Sequence, residues 1–305
     1  MNRRRAVSLG ATAAVTASGI ALAGGMPGPA FAQSAATPPA TGGDGSSLAH
    51  GLLPDHRLLL YYGFPENERM GILGEYDPDE LLTHLKAEAA NYEAADNSRP
   101  WKLGLELIAS VAQGSPGADN KYIADTDGKW LDLYTEFTAA NDMVLFLDVQ
   151  MGFKTPKEDY VGLERWLKYD HVHLGIDPEF HMREGELPGQ DIGQIDGSDV
   201  TEAQHWLVEI AKKYNVSRKT LIVHQFHYSM IENKDTIKPV DGVDLVIDED
   251  GFGPPAMKKE TYNVVITQEP IEYNGIKLFY KQDDPLMTAA EVLALDPPPD
   301  VVIYQ

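Results

Sequence analysis

The chain has 305 residues, a formal net charge of −22 at pH 7 and no cysteine. A chain without cysteine has no disulfide framework, no thiol nucleophile and no cysteine-ligated metal. So acidic a balance argues against nucleic acid and anionic membranes as partners, because both are bound through clustered lysine and arginine.

The N-terminal segment has the three parts of a secretory signal peptide. The arginines 3–5 precede an almost uncharged stretch to about Gly25, and the tripeptide Ala30-Phe31-Ala32 follows. This order predicts a signal peptide over residues 1–32, cleaved after Ala32. The consecutive arginines resemble a twin-arginine signal, with the general export route and a membrane anchor as alternatives. We therefore expect a secreted or periplasmic protein that does not associate with a membrane after cleavage.

The composition changes twice after this segment. Residues 33–52 are rich in Ala, Thr, Pro, Gly and Ser, which predicts a disordered linker with little to bury. Residues 53–305 have the length of one barrel-type domain and enough apolar side chains for a substantial core. We expect this domain to act as a monomer.

Apolar runs rich in β-branched or aromatic residues alternate with helical patterns along the predicted domain. The runs predict strands over 58–62, 103–109, 143–149, 172–177, 221–225, 243–248, 276–280 and 301–304. The helical patterns cover 81–95, 129–140, 156–168, 199–214, 254–264 and 288–295. The first helix has Asp77 as its N-cap and Pro78 at its first position, and Thr288 with Glu291 forms a capping-box pattern in the last.

Strand–helix alternation at this spacing predicts an α/β fold with a parallel sheet. Eight such units favour a closed (β/α)8 TIM barrel, and an open doubly wound sheet is the alternative. The segment after the first predicted strand lacks the spacing of a Gly-rich dinucleotide fingerprint, and the chain has no P-loop. We therefore expect no cofactor.

The predicted barrel indicates where the site residues lie, because catalytic groups of such barrels lie at the C-terminal ends of the strands. The candidate catalytic residues are the acids Asp148, Asp177 and Glu179. Candidate substrate-binding residues, all polar or aromatic and at or just after strand ends, are Tyr62, Phe64, Gln150, His224, Gln225, His227, Asp248 and Asp283.

Side-chain alternation groups the acids. Asp148 and Gln150 share one face of the third predicted strand, and Asp177 and Glu179 share one face of the fourth. Neighbouring strands lie ~4.8 Å apart, so Asp148 and Asp177 should interact and one pKa should rise. Two carboxyl groups separated into an acid and a base are what glycosidic-bond hydrolysis requires. We assign Glu179 as the general acid, with Asp177 and Asp148 as its charge partners.

The segment Leu174-Gly175-Ile176-Asp177-Pro178-Glu179 resembles the end of strand four in chitinase-like glycoside hydrolases. That resemblance implies that Asp177 orients the substrate and that Glu179 protonates the glycosidic oxygen. The chain departs from the family at Gly175, where a further Asp should stand, and at Pro178. The segments at 61–65, 147–150 and 223–226 also resemble those of secreted, mostly uncharacterised bacterial barrel proteins, to which no activity is attached.

These observations predict a secreted, glycoside hydrolase-like enzyme that acts on a polysaccharide or cell-wall glycan without a cofactor. One alternative is a metal-dependent hydrolase or lyase that uses His224 or His227 with Asp148, Asp177 and Asp248. Another is a non-catalytic barrel that binds a glycan or solute, its acids being solvated rim residues or loop caps. Lys277, inside a predicted apolar strand, needs a charge partner or a chemical role, of which a Schiff base is one.

Overall fold

Eight parallel strands close into a barrel in the computed structural model, which describes Leu48 and residues 50–305. The strands are β1 (Arg57–Gly63), β2 (Trp101–Ala112), β3 (Val144–Val149), β4 (Val172–Ile176), β5 (Lys219–His224), β6 (Val243–Glu249), β7 (Tyr273–Leu278) and β8 (Val301–Tyr304). Strand β1 pairs with β8 on one side and β2 on the other, which closes the sheet. The predicted (β/α)8 barrel is confirmed. The predicted signal peptide and most of the predicted linker lie outside the described residues.

Helices alternate with these strands. They are α1 (Pro78–Ala95), α2 (Gly128–Ala140), α3 (Pro156–Tyr160), α4 (Glu164–Leu167), α5 (Gly197–Tyr214), α6 (Pro255–Tyr262) and α7 (Ala289–Leu293). Asp77 accepts hydrogen bonds from the first backbone N–H groups of α1, and Thr288 with Glu291 caps α7, both as predicted. Among the described residues, no helix is long and apolar enough to cross a membrane.

Three short strands lie outside the barrel. Ile123–Asp125 adds to β2 in antiparallel orientation, and Ile195–Asp196 pairs with Ile231–Glu232 in parallel.

Two predicted elements differ from the observed ones. The single helix predicted over 156–168 is divided into α3 and α4 by a 3-10 turn at Val161–Leu163, which contains Gly162, a residue that weakens a helix interior. Strand β7 ends at Leu278 rather than at 280. The N–H of Phe279 donates to the Asp283 carboxylate at 2.9 Å instead of to a neighbouring strand.

The core has two layers that follow from the alternation of side chains along each strand. Leu59, Leu105 and Leu145 point outward and pack with the apolar faces of the helices. The inward-facing apolar residues fill the barrel lumen: Leu53, Leu58, Leu60, Tyr62, Ile108, Val111, Val144, Phe146, Ile222, Val246, Val301 and Ile303. Leu48 packs against the outer layer and Leu52 against the inner one. The lower lumen is therefore a packed apolar plug, and the C-terminal ends of the strands open above it.

Candidate active site

A cluster of charged side chains fills the upper lumen, directly above the apolar plug. We call it the lumen cluster; its members come from six strands and are Tyr62 (β1), Glu106 (β2), Asp148 (β3), His224 (β5), Asp248 (β6) and Lys277 (β7). Each is at most 3% exposed. Ionisable groups are rarely so deeply buried unless they are paired or functional.

His224 lies at the centre of the lumen cluster. Its Nδ1 is 3.0 Å from Asp248 Oδ2 and its Nε2 is 3.1 Å from Glu106 Oε1. Asp148 Oδ1 lies 3.9 Å from the same Nε2. Burial alone would lower the pKa of His224, but the carboxylates of Glu106 and Asp248 outweigh burial and hold that pKa well above its ordinary value.

Two glycines make room for these acids. A Cβ atom on Gly175 would lie 2.8 Å from Glu106 Oε1 and 2.9 Å from Asp148 Oδ1. A Cβ atom on Gly275 would lie 2.4 Å from Asp248 Oδ1. These separations are shorter than van der Waals contact, so the space that side chains would take on β4 and β7 is occupied by carboxylates of neighbouring strands. An Asp at this position, as in the chitinase-like pattern, would therefore clash with Glu106 and Asp148.

Tyr62 and Lys277 complete the lumen cluster. The Tyr62 hydroxyl donates to Asp148 Oδ2 at 3.0 Å, and the Lys277 Nζ lies 3.4 Å from the centre of the Tyr62 ring. Burial alone would lower the pKa of Lys277, but nearby Asp250 and Asp177 raise it above its ordinary value. A protonated amine is not a nucleophile, so this environment argues against the Schiff-base role.

Asp177 and Glu179 stand above the lumen cluster, where β4 ends. The backbone N–H of Asp177 still donates to Val149 O at 3.0 Å, and Pro178–Phe180 then forms a 3-10 turn. Asp177 is 3% exposed, whereas Glu179 is only half-buried. A hydrogen bond from Gly193 N to Glu179 O, 2.7 Å long, holds the turn.

The pKa values of these acids are raised. Burial and then the charge of Asp250 raise the pKa of Glu179 to about 7. Burial, followed by the charges of Glu179 and Asp148, raises the pKa of Asp177 well above its ordinary value. Burial also raises the pKa of Asp148 to about 6, although His224 opposes the shift. Both acids at the ends of β3 and β4 therefore have raised pKa values, that of Asp177 in part through the charge of Asp148.

The structure brings six of the predicted site residues together: Tyr62, Asp148, Asp177, Glu179, His224 and Asp248. Gln150 and Asp283 have other partners. Gln150 Oε1 accepts from Ala112 N at 2.9 Å, and Asp283 accepts from Gly253 N at 2.7 Å and from Phe279 N. Both side chains hold loops at the rim.

The remaining three predicted residues lie around the mouth of the barrel. Lys234 donates to Gln225 Oε1 at 2.7 Å, so this side chain amide is held within the protein. The Nδ1 atom of His227 lies 2.7 Å from Ser229 Oγ, in a short turn after β5. Phe64 is half-buried against the inner apolar layer. Their role in substrate binding remains a prediction.

Sequence reasoning missed Glu106. It lies in the middle of β2 between Leu105 and Leu107, whereas the predicted site residues lie at strand ends. The sequence feature that could have identified Glu106 is its charge, since a carboxylate inside an apolar strand needs a partner.

Comparison with known proteins assigns the chain to no family. No family model and no curated protein matches the chain. One solved structure that matches is the GH26-CBM35 β-(1,4)-mannanase of Podospora anserina, with 10% sequence identity and a TM-score of 0.35, over 72% of this chain and 54% of that one. The chain thus spans about half the length of the mannanase.

Proposed function

We propose that the protein is a hydrolase that cleaves glycosidic bonds in a polysaccharide or cell-wall glycan, with Glu179 as the proton donor. One observation carries this proposal. Glu179 is half-buried at the rim and its pKa is raised to about 7, while the acids beneath it are almost fully buried. It is therefore the acid of this group that combines access to a substrate with a proton at neutral pH.

The surroundings of Glu179 suit a group that gives up a proton and later takes one back. A general acid works best when its pKa lies near the operating pH. Burial and Asp250 favour the protonated form, while Lys277 and His224 favour the carboxylate. These opposing influences keep both forms of Glu179 accessible near neutral pH.

Asp177 and Asp148 supply the second requirement. Glycosidic cleavage passes through an oxocarbenium-like transition state, whose positive charge is stabilised by a carboxylate on the other side of the scissile bond. The Tyr62 hydroxyl donates a hydrogen bond to Asp148 and holds it in place. The charges of Glu179 and Asp148 both raise the pKa of Asp177. We assign Asp148, which is largely ionised at neutral pH with a pKa of about 6, to charge stabilisation, and Asp177 to positioning of Glu179.

Aromatic side chains on the surrounding loops support a sugar substrate. Tyr228, after β5, is 66% exposed, and Phe252, after β6, is 51% exposed and packs edge-on against Phe279. Exposed rings next to polar groups provide apolar faces on which sugar rings can stack. This arrangement favours a glycan over a small charged metabolite.

The test is turnover by the purified protein on a panel of cell-wall and plant glycans, with Glu179→Gln, Asp148→Asn and the exposed-surface control Glu209→Gln. We expect the Glu179→Gln variant to lose at least ~100-fold in kcat, the usual scale for a general acid. The loss should be much smaller on aryl glycosides, whose leaving groups need no proton. The Glu209→Gln variant should match the wild type.

Two outcomes would overturn the proposal. One is the absence of turnover on every glycan, and tight binding without turnover would then indicate the non-catalytic alternative. The other is hydrolysis that the Glu179→Gln substitution leaves unchanged, which would remove Glu179 from the chemistry.

A further inference from the structure

Three ligand-type atoms converge in the lumen cluster. They are Glu106 Oε1, Asp148 Oδ1 and His224 Nε2, and all lie within 4.8 Å of one another. The two carboxylate oxygens are 3.1 and 3.9 Å from the imidazole nitrogen. Ligands bound to one zinc ion at about 2.0–2.2 Å in tetrahedral geometry stand roughly 3.3 Å apart. The two measured separations from the imidazole nitrogen bracket this value.

Two of the three groups are oriented by a further hydrogen bond. The Nδ1 of His224 lies 3.0 Å from Asp248 Oδ2, and Asp148 Oδ2 accepts from the Tyr62 hydroxyl at 3.0 Å. In each case the outer atom has a partner. The inner atom of His224, Nε2, lies 3.1 Å from Glu106 Oε1, and a metal ion would replace the proton between these two atoms. Histidine ligands of metals almost always have such a carboxylate or carbonyl behind them.

The acids also have unused oxygen atoms. Among the residues that the structure describes, Asp148 Oδ1, one of the three converging atoms, accepts no hydrogen bond. Neither does Glu106 Oε2, whereas Glu106 Oε1 lies 3.1 Å from His224 Nε2; both side chains are 0% exposed. A buried carboxylate oxygen without a partner is costly, so a missing ligand is indicated. Lys277 is not the missing partner of these carboxylate oxygens. Its Nζ lies over the Tyr62 ring and makes no ion pair with a carboxylate in the described part of the chain.

We propose that Glu106, Asp148 and His224 bind one divalent transition-metal ion. One imidazole and two carboxylates suit Zn²⁺ or Mn²⁺ better than Ca²⁺, which takes six to eight oxygen ligands. Three protein ligands leave a coordination position open, as in sites that bind water or substrate. This site shares Asp148 with the proposed function but does not include Glu179.

The experiment measures metal content and affinity. The purified protein is stripped with EDTA, reloaded with ZnCl₂ or MnCl₂, dialysed, and analysed by elemental mass spectrometry and isothermal titration calorimetry. We expect one equivalent of Zn²⁺ or Mn²⁺ per wild-type chain. The isosteric variant Glu106→Gln and the variant His224→Asn should each bind at least ~10–100-fold more weakly, and circular dichroism shows whether they are folded.

The matched control is Glu249→Gln. Glu249 is also 0% exposed and belongs to β6, but it pairs with Lys258 at 3.1 Å rather than with the lumen cluster. This variant and Glu179→Gln should keep one equivalent of metal, so the metal site and the proton donor are tested separately. Failure of the wild type to bind either ion, or equal binding by Glu106→Gln and wild type, would overturn the proposal.

Discussion

The packing of carboxylates against Gly175 makes the Gly175→Ala variant a direct test of the lumen cluster. The new methyl group would lie 2.8 Å from Glu106 Oε1, 2.9 Å from Asp148 Oδ1 and 3.2 Å from Asp148 Cα. The last of these contacts is with backbone, which cannot rotate away. Glu106 and Asp148 must therefore shift from the positions that face His224.

The expected size of the effect follows from two opposing contributions. An extra methyl group in a well-packed interior costs about 1–3 kcal/mol. Replacing glycine by alanine restricts the unfolded chain and recovers about 0.4–1 kcal/mol where the backbone conformation allows it. The net loss of unfolding free energy is then about 1–2 kcal/mol, or roughly 3–6 °C in Tm for a domain of this size.

Calorimetry and urea unfolding measure this loss, with Gly162→Ala as the control. A Cβ atom on Gly162, in the turn between α3 and α4, would have no atom within 4 Å. The control should therefore be as stable as the wild type or slightly more stable. If Gly175→Ala were equally stable, Glu106 and Asp148 would not pack against β4 as the structure has them, and the reasoning about the cluster would fail.

Further predictions concern pH and charge. Glycan turnover should fall as pH rises above about 7, because Glu179 then loses the proton it donates, and a profile flat from pH 6 to 9 would contradict this. In the Lys277→Met variant the fall in turnover should occur at higher pH, because the lysine charge lowers the pKa of Glu179. A fall at the same pH as in the wild type would contradict this influence of Lys277. The free energy of unfolding should decrease by on the order of 5 kcal/mol between pH 5 and 8.5, as measured by urea titration, since each unit by which a folded-state pKa exceeds pH 5 contributes about 1.4 kcal/mol. Burial raises the pKa of Glu249 to about 8 and that of Asp244 to about 6, so the folded state binds protons that the unfolded state releases, and increasing stability over this range would refute the argument.

The sequence predicts the barrel because each strand is a short apolar run and six of the seven crossovers have a helical period. The crossover from β5 to β6 forms only 3-10 turns and one two-residue strand. Those signals are local, and all eight strands are observed within a few residues of their predicted bounds. The site is predicted less completely. Alternation places Asp148 and Asp177 on the lumen side, but the 3.1 Å separation of Glu106 and His224 depends on how β2 and β5 are staggered around the barrel. No single strand encodes this stagger, so a carboxylate in the middle of β2 remained unassigned.

Depth in the barrel separates the two proposed roles. A perturbation at the bottom of the cluster, such as Gly175→Ala, displaces Glu106 and Asp148 together, so it should weaken metal binding as well as glycan turnover. A change at the rim, such as Glu179→Gln, removes the proton donor but leaves the three proposed ligands in place. If both variants lost metal, the rim acid would have to be a ligand, and if neither lost turnover, the chemistry would have to lie elsewhere. Measuring both quantities on both variants therefore separates the proposed metal ligands Glu106 and Asp148 from the proposed proton donor Glu179.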